Sequence, residues 1–163
     1  MALMDCQLAR ALAQAAPVFR GVGVDRLYFS AVYDYRNRRR SKVLSAHAGG
    51  LAIDVHEFGG PQGTLNVTRD FESGVGRWKE LDPARGDVDG CIGHPRTQAG
   101  RRLRELACGL KHHRRFGVII TPDDDTDHRD HLHLEALPEP ARDHAIIQHL
   151  PDVNLPSPQP PDT

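Results

Sequence analysis

Ser45-Ala46-His47-Ala48-Gly49-Gly50-Leu51-Ala52-Ile53-Asp54-Val55-His56-Glu57-Phe58 decides how this chain is read. From Leu51 onward it alternates with the period of a strand, Leu51, Ile53 and Val55 on one face and Ala52, Asp54 and His56 on the other. Gly59-Gly60-Pro61-Gln62-Gly63 follows as a turn, and Thr64 to Val67 returns as a partner strand, so the simplest reading is a β-hairpin. Before the strand, Gly49 and Gly50 let the backbone fold tightly enough for His47 to approach Asp54, and Ala52 leaves room above the sheet.

The second informative stretch is His128-Arg129-Asp130-His131-Leu132-His133-Leu134-Glu135. The whole chain holds 10 histidines, and three of them fall within this one segment. As a strand, His131 to Glu135 sends His131, His133 and Glu135 to one side and Leu132 and Leu134 to the other, so the two imidazoles can share a metal or a water. His47 and Asp54 with an imidazole of this pair make two imidazoles and one carboxylate. Three protein ligands leave a fourth zinc position open, the arrangement of a catalytic site and not of a closed structural one.

Working outward, Leu8, Ala11, Leu12 and Ala15 recur at helical spacing until Pro17, Gly21 and Gly23 interrupt them, which predicts an amphipathic first helix over 4–16. Leu27, Phe29, Ala31, Tyr33 and Tyr35 alternate as a strand with one buried face, and Arg36 to Lys42 reads as a turn. Arg69 to Arg96 shows no sustained period, and a connection of that length is expected to be a functional loop or lid. Thr97 caps a helix whose stripe of Ala99, Leu103, Leu106, Ala107 and Leu110 faces a core, leaving Arg101, Arg102, Arg104 and Glu105 wet. Val118 to Ile120 reads as a buried strand, Pro122 to Asp127 as an acidic loop and Pro140 to Leu150 as a short helix. The chain therefore divides into a single domain over 1–150 and a Pro-rich tail over 151–163, expected to be disordered. The fold class is α+β: a small antiparallel sheet carrying the metal site, with the helices near 97–114 and 4–16 on its other face.

Composition excludes several classes of partner. At 163 residues the chain supports one core, and 21 Lys+Arg against 22 Asp+Glu give a net charge of −1, with no field to attract a phosphate backbone. The basic clusters at 36–42 and 101–115 read as solvated faces, so no nucleic-acid partner is expected. No stretch approaches the ~20 apolar residues of a membrane helix. Residues 1–18 lack a basic leading segment and a small-residue cleavage site, and Asp5, Gln7 and Arg10 break their apolar character, so they do not read as a signal peptide. Cys6, Cys91 and Cys108 cannot all pair within one molecule. A disulfide between two of them, most simply Cys91 with Cys108, suits an oxidising compartment, whereas three buried thiols suit the cytosol. No pair has the close spacing of a cysteine zinc site.

The pattern Ser45-x-His47-x-x-Gly50-x-Ala52-x-Asp54 followed by His131-x-His133 resembles the zinc peptidase superfamily of lysostaphin-type enzymes, D-alanyl-D-alanine peptidases and the Hedgehog amino-terminal domain. More closely, the chain looks like the bacterial extensin-like protein C-terminal domain family, through Cys6-Gln-Leu-Ala-Arg-Ala-Leu, Tyr35-Arg36, Ala107-Cys108 and His128 to Glu135, a resemblance spanning Cys6 to Leu137. It implies a Hedgehog/D-Ala-D-Ala peptidase-like fold with one zinc ion on His47, Asp54 and His133. His131 falls on a histidine that orients or deprotonates the attacking water, and His128 on a further active-site histidine. Asp130 takes the place of the carboxylate that related dipeptidases use three positions before the last ligand, but regular strand geometry would turn it away from His133, which favours His131. Arg36 matches an arginine that could hold a substrate carboxylate or developing oxyanion charge. Ser45 is expected to support the ligand loop and Glu135 to orient a ligand histidine.

The family commonly has a cysteine just before the motif arginine, where this chain has Tyr35, and Cys91 lies in the long loop instead, so its disulfide pattern is altered. With export implied by the family, Cys91 and Cys108 are expected to pair, leaving Cys6 free or paired between chains. The implied activity is zinc-dependent cleavage of amide bonds in bacterial cell-wall peptide, of D,D-carboxypeptidase or murein endopeptidase type, on a peptidoglycan stem peptide in the periplasm or outside the cell. The alternatives are a catalytically silent zinc-containing module that binds peptide or glycan, and a cytosolic metallo-amidase.

Overall fold

The computed structural model describes residues 3–81 and 87–137, and the helix expected over Pro140 to Leu150 and the Pro-rich tail lie outside the described residues. The architecture is α+β. Helix α1 spans Cys6–Gly21 and α4 spans Gln98–His113, with two short helices between them, α2 at Val67–Asp70 and α3 at Val88–Ile92. The strands are β1 (Arg26–Ala31), β2 (Ala52–Gly60), β3 (Gly63–Asn66), β4 (Val118–Ile120) and β5 (Leu132–Glu135). They form one antiparallel sheet in the order β1-β2-β5-β4, with β3 pairing the far half of β2 as the expected hairpin.

Alternation along β2 and β5 divides the sheet into two chemically different faces. Ile53, Val55, Leu132 and Leu134 enter one buried cluster with Leu8, Ala15 and Phe19 of α1 and Leu103, Leu106 and Leu110 of α4. Fully burying each such side chain stabilises the fold by roughly 1.5–3 kcal/mol. The residues between them, Asp54 and His133, fall on the opposite face. The core thus forces the polar set together, because a slip of one residue would bury the histidine and carboxylate among leucines.

Both long helices begin on side-chain caps. Asp5 accepts from Gln7 N at 2.8 Å and Thr97 Oγ1 from Gly100 N at 2.9 Å. Helix α1 continues past Pro17, where the sequence pattern breaks, to Gly21. Ala13 and Pro17 both lie on the exposed side of the helix, where water can replace the amide that proline lacks. The end of α1 is closed from across the structure, by Arg102 donating to Val22 O at 2.8 and 3.0 Å.

Besides the strand over Val118–Ile120, which is present but not buried, with Val118 exposed at the edge of the sheet, three expectations need correction. First, β1 has no regular buried face: Phe29, Tyr33 and Tyr35 are exposed and Val32 is buried instead, because two irregularities shift the register against β2. Second, the long connection is not a lid. Trp78, Leu81, Cys91 and Ile92 are buried in the core, and α3 is joined to α4 by the Cys91–Cys108 disulfide, with Cys6 free and exposed. Third, Arg104 is not wet but 1 % exposed. Its guanidinium donates to Ile92 O, Cys91 O, Glu72 O and Asp123 Oδ2, so an apparent surface charge ties the connection and the acidic loop to α4. Arg102 is likewise engaged at α1, while Arg101, Arg114 and Arg115 of the same cluster are exposed, as a solvated face requires.

Candidate metal centre

The antiparallel register of β2 and β5 places Asp54 directly opposite His133, and Asp54 Oδ1 lies 2.8 Å from His133 Nδ1. His47 arrives from a 3-10 turn over Ala46–Gly49, whose first residue is preceded by Ser45; the Ser45 hydroxyl accepts from His47 N at 3.4 Å. Gly50 closes the turn at φ 66°, and a side chain there would meet the backbone of Asp5 at 3.1 Å. Asp5 N also donates to Gly50 O at 3.0 Å, so the residue that caps α1 anchors the turn carrying His47.

The result is a buried triad. His47 is 1 % exposed and Asp54 and His133 are each 8 % exposed, and His47 Nε2 stands 3.2 Å from Asp54 Oδ2 and 3.3 Å from His133 Nδ1. His47 Nδ1 lies 3.1 Å from Val32 O. A carbonyl can only accept, so Nδ1 carries the proton and the Nε2 of a neutral His47 presents a lone pair to Asp54 and His133. Where His133 carries its proton on Nε2, toward Glu135, two nitrogen acceptors and a carboxylate face one another, an arrangement that takes an added proton or a cation at its centre. The group could hold a metal ion.

The electrostatics agree with that chemistry. Burial pushes the Asp54 carboxyl up, but the His133 and His47 rings, which hydrogen-bond to it and attract it when they hold the added proton, keep it well below the usual carboxylate range. Burial pushes His133 down, yet its hydrogen bonds to Asp54 and Glu135 leave it raised. Glu135 Oε2 stands 3.5 Å from His133 Nε2, and Glu135 is itself kept below its ordinary value by His133, against burial, with help from Arg38. A carboxylate behind the distal ring nitrogen fixes which nitrogen faces the centre.

The remaining candidates gather around the open side. His131 precedes the first residue of β5, so it is not bound to strand geometry; its Nε2 faces Asp54 Oδ1 at 3.6 Å while its Nδ1 lies 2.8 Å from Asp130 Oδ1. Asp130, which strand geometry would have turned away, therefore stands behind His131, and the hydrogen bond to that ring lowers its pKa. The His128 ring lies 5.0 Å from that of His131 and 5.8 Å from that of His133, with its Nδ1 2.7 Å from Asp125 Oδ1.

A cleft of about 630 Å³ opens above these groups, its lining including Arg36, Arg38, Arg39, Asp125, Asp127 and His128. Arg36 borders it, but its Nε donates to Asp34 Oδ2 at 2.8 Å. The arginine that reaches the carboxylate behind His133 is Arg38, donating to Glu135 Oε1 at 3.3 Å, and Arg39 pairs with Asp127. Sequence reading did not single out Arg38, His56, Asp125 or Asp127. Nothing in a run of adjacent arginines marks the one that points inward. His56, Asp130 and His131 form a second close group of potential ligands.

No protein-family model, curated protein or solved structure matches the chain.

Proposed function

We propose that this protein is a zinc-dependent hydrolase cleaving amide bonds in bacterial cell-wall peptide, of D,D-carboxypeptidase or murein endopeptidase type. The observation that carries the reading is the buried convergence of His47, Asp54 and His133 beneath a cleft onto which the Asp130-supported His131 opens. A two-imidazole, one-carboxylate set leaves room for substrate, as catalytic zinc sites do. The choice of cell-wall peptide rests on the resemblance of the two motifs to the zinc peptidase superfamily and the extensin-like family.

In this reading His47 Nε2, Asp54 and His133 Nδ1 hold the ion. When bound, zinc supplies Lewis acidity, polarising a carbonyl and making water nucleophilic near neutral pH. His131 takes up a proton at Nε2, the nitrogen facing the site, while Asp130 holds the proton on Nδ1 and stabilises the imidazolium that forms. The same ring then returns the proton to the leaving amine. His128, oriented by Asp125, offers a second polar contact in the cleft. The Cys91–Cys108 disulfide is consistent with a non-cytoplasmic location, and we place the protein in the periplasm or outside the cell. Among the described residues no helix is long and apolar enough to cross a membrane.

The test is digestion of purified peptidoglycan with mass identification of the released fragments, and metal analysis of the same samples. Wild type should carry about one zinc. His131→Ala should keep it and lose roughly 10²- to 10⁴-fold in rate, whereas His133→Ala should lose the metal. Full activity in His131→Ala beside a dead Asp130→Ala would make the carboxylate the base. A zinc-loaded wild type that releases no fragment would favour a catalytically silent peptide- or glycan-binding module.

A further inference from the structure

The two register irregularities between β1 and β2 each insert one residue. Tyr28 pairs with Glu57 and Phe29 with Val55, leaving His56 as an extra residue on β2; Ala31 then pairs with Asp54, leaving Ser30 extra on β1. The two bulged residues meet, Ser30 Oγ lying 2.8 Å from His56 Nε2. Bulges re-aim side chains beside functional sites. Here they bring the His56 ring to 5.2 Å from the ring of His131.

Both nitrogens of His56 are engaged. Nδ1 lies 3.0 Å from Asp130 O, which can only accept, so Nδ1 carries the proton and Nε2 accepts from the Ser30 hydroxyl. A ring committed in this way has no lone pair left for a metal, although His56 lies close enough to Asp130 and His131 to have been a ligand. What its N–H does hold is the backbone of the residue whose carboxylate supports His131. His131 and Asp130 precede β5 and have no ladder partner of their own.

We propose that His56 is a positioning residue: delivered by the paired bulges and oriented by Ser30, it clamps the Asp130–His131 turn to β2 so that His131 Nε2 faces the metal centre. The proposal rests on the role given to His131 above, and it has a consequence that needs no substrate. With the clamp in place Asp130 holds the proton on His131 Nδ1, and the ring is a single tautomer. Without it the turn is free to move, and the tautomer becomes mixed.

The experiment uses the zinc-loaded full chain. Long-range ¹H–¹⁵N spectra of the histidine rings at alkaline pH, with the His131 signals assigned by their loss in His131→Gln, should show the Nδ1–H tautomer in wild type and a mixture in His56→Leu. His56→Asn, whose amide nitrogen takes the place of Nδ1, should restore the wild-type pattern. Zinc content should be the same in all three. On peptidoglycan, His56→Leu should lower kcat by roughly 10- to 100-fold, the usual cost of an outer-shell partner, with KM unchanged, and His56→Asn should recover most of it. If His56→Leu does not fold, Ser30→Ala, which frees Nε2, must shift the tautomer in the same direction, and an unshifted spectrum there overturns the clamp. An unchanged His131 tautomer in folded His56→Leu overturns it too, as does a second bound zinc that disappears with His56. If wild type cleaves no wall peptide, the hydrolase reading fails and the spectra alone decide the clamp.

Discussion

Glu135 is the sharpest place to test whether the triad is built for a metal. Its carboxylate stands 3.5 Å from His133 Nε2 and is met from outside by Arg38 at 3.3 Å. Replacing it with Gln keeps the shape and removes the charge behind the ligand. Loss of such an outer-shell carboxylate costs about 10- to 100-fold in metal affinity. The separation lies beyond the usual range of strong hydrogen bonds, so we expect the lower end, about tenfold or ~1.4 kcal/mol. The effect should depend on pH in a definite sense. Glu135 also raises the affinity of His133 for a proton, which competes with zinc. The substitution therefore weakens both competitors, and the gap between variant and wild type should be widest at alkaline pH and shrink as pH falls. Arg38→Met serves as the comparison: Arg38 is 54 % exposed in this pair, and pairs of that kind contribute about 0–1 kcal/mol, so its loss should be under about fivefold. Competition titration against a chromophoric chelator across pH reads all three proteins. Equal zinc affinity in Glu135→Gln and wild type at alkaline pH, or a larger loss in Arg38→Met, would refute the assignment of Glu135 as the group that orients His133.

Further outcomes follow from the same structure. His133 is raised, so the stability it contributes to the metal-free protein is full below the ordinary imidazole value and is lost as pH rises through the raised one; Asp54 is depressed, so its contribution is full above the ordinary carboxylate value and is lost as pH falls. Metal-free protein should thus melt highest between about pH 4 and 6.5, and the rise in Tm on adding zinc should grow above that window; a zinc effect that vanishes at alkaline pH would contradict the histidine ligands. Arg104→Met leaves Asp123, whose side chain is only 6 % exposed, without its partner, which should cost about 3–5 kcal/mol in urea unfolding, and adding Asp123→Asn should recover part of it. Opening the Cys91–Cys108 bridge by Cys→Ala at both positions removes a link of sequence separation 17 and should lower stability by roughly 3 kcal/mol; peptide mapping that finds three free thiols in oxidatively folded protein would remove both the bridge and the support it lends to export.

Much of this molecule could be read from local pattern. The period of two in Leu51 to Phe58 and the glycine turn after it marked the β2–β3 hairpin, and the stripe from Ala99 to Leu110 marked α4, because such periods record which side chains a nearby core will accept. The same period put Asp54 and His133 on the polar faces of their strands, and the glycines after His47 allowed its turn, so the members of the triad were visible before their meeting was. Their convergence needed β2 and β5 to pair with Asp54 opposite His133 across 79 positions of chain, a register that the buried leucines and isoleucines on the other face select.

What local pattern missed is what depends on distant partners or on a break in regularity. Pro17 signals a helix end, yet α1 continues to Gly21 with Ala13 and Pro17 on its exposed side. The irregular stretch after Arg69 resembled a lid because its buried residues, Trp78, Leu81 and Ile92, follow no period, and only packing against α4 shows them as core. Arg104 and Arg102 looked like surface charges because a guanidinium's acceptors, here backbone carbonyls of other segments, leave no trace in its own neighbourhood. Arg38 was indistinguishable from Arg36 until the turn was folded over Glu135. The alternation of β1 was disturbed by single-residue bulges that a periodic reading cannot anticipate. Sequence alone determined the donors and the faces that carry them; tertiary structure decided their register, their supporting carboxylates and the clamp at His56, since those are set by contacts between segments that only the packed core brings together.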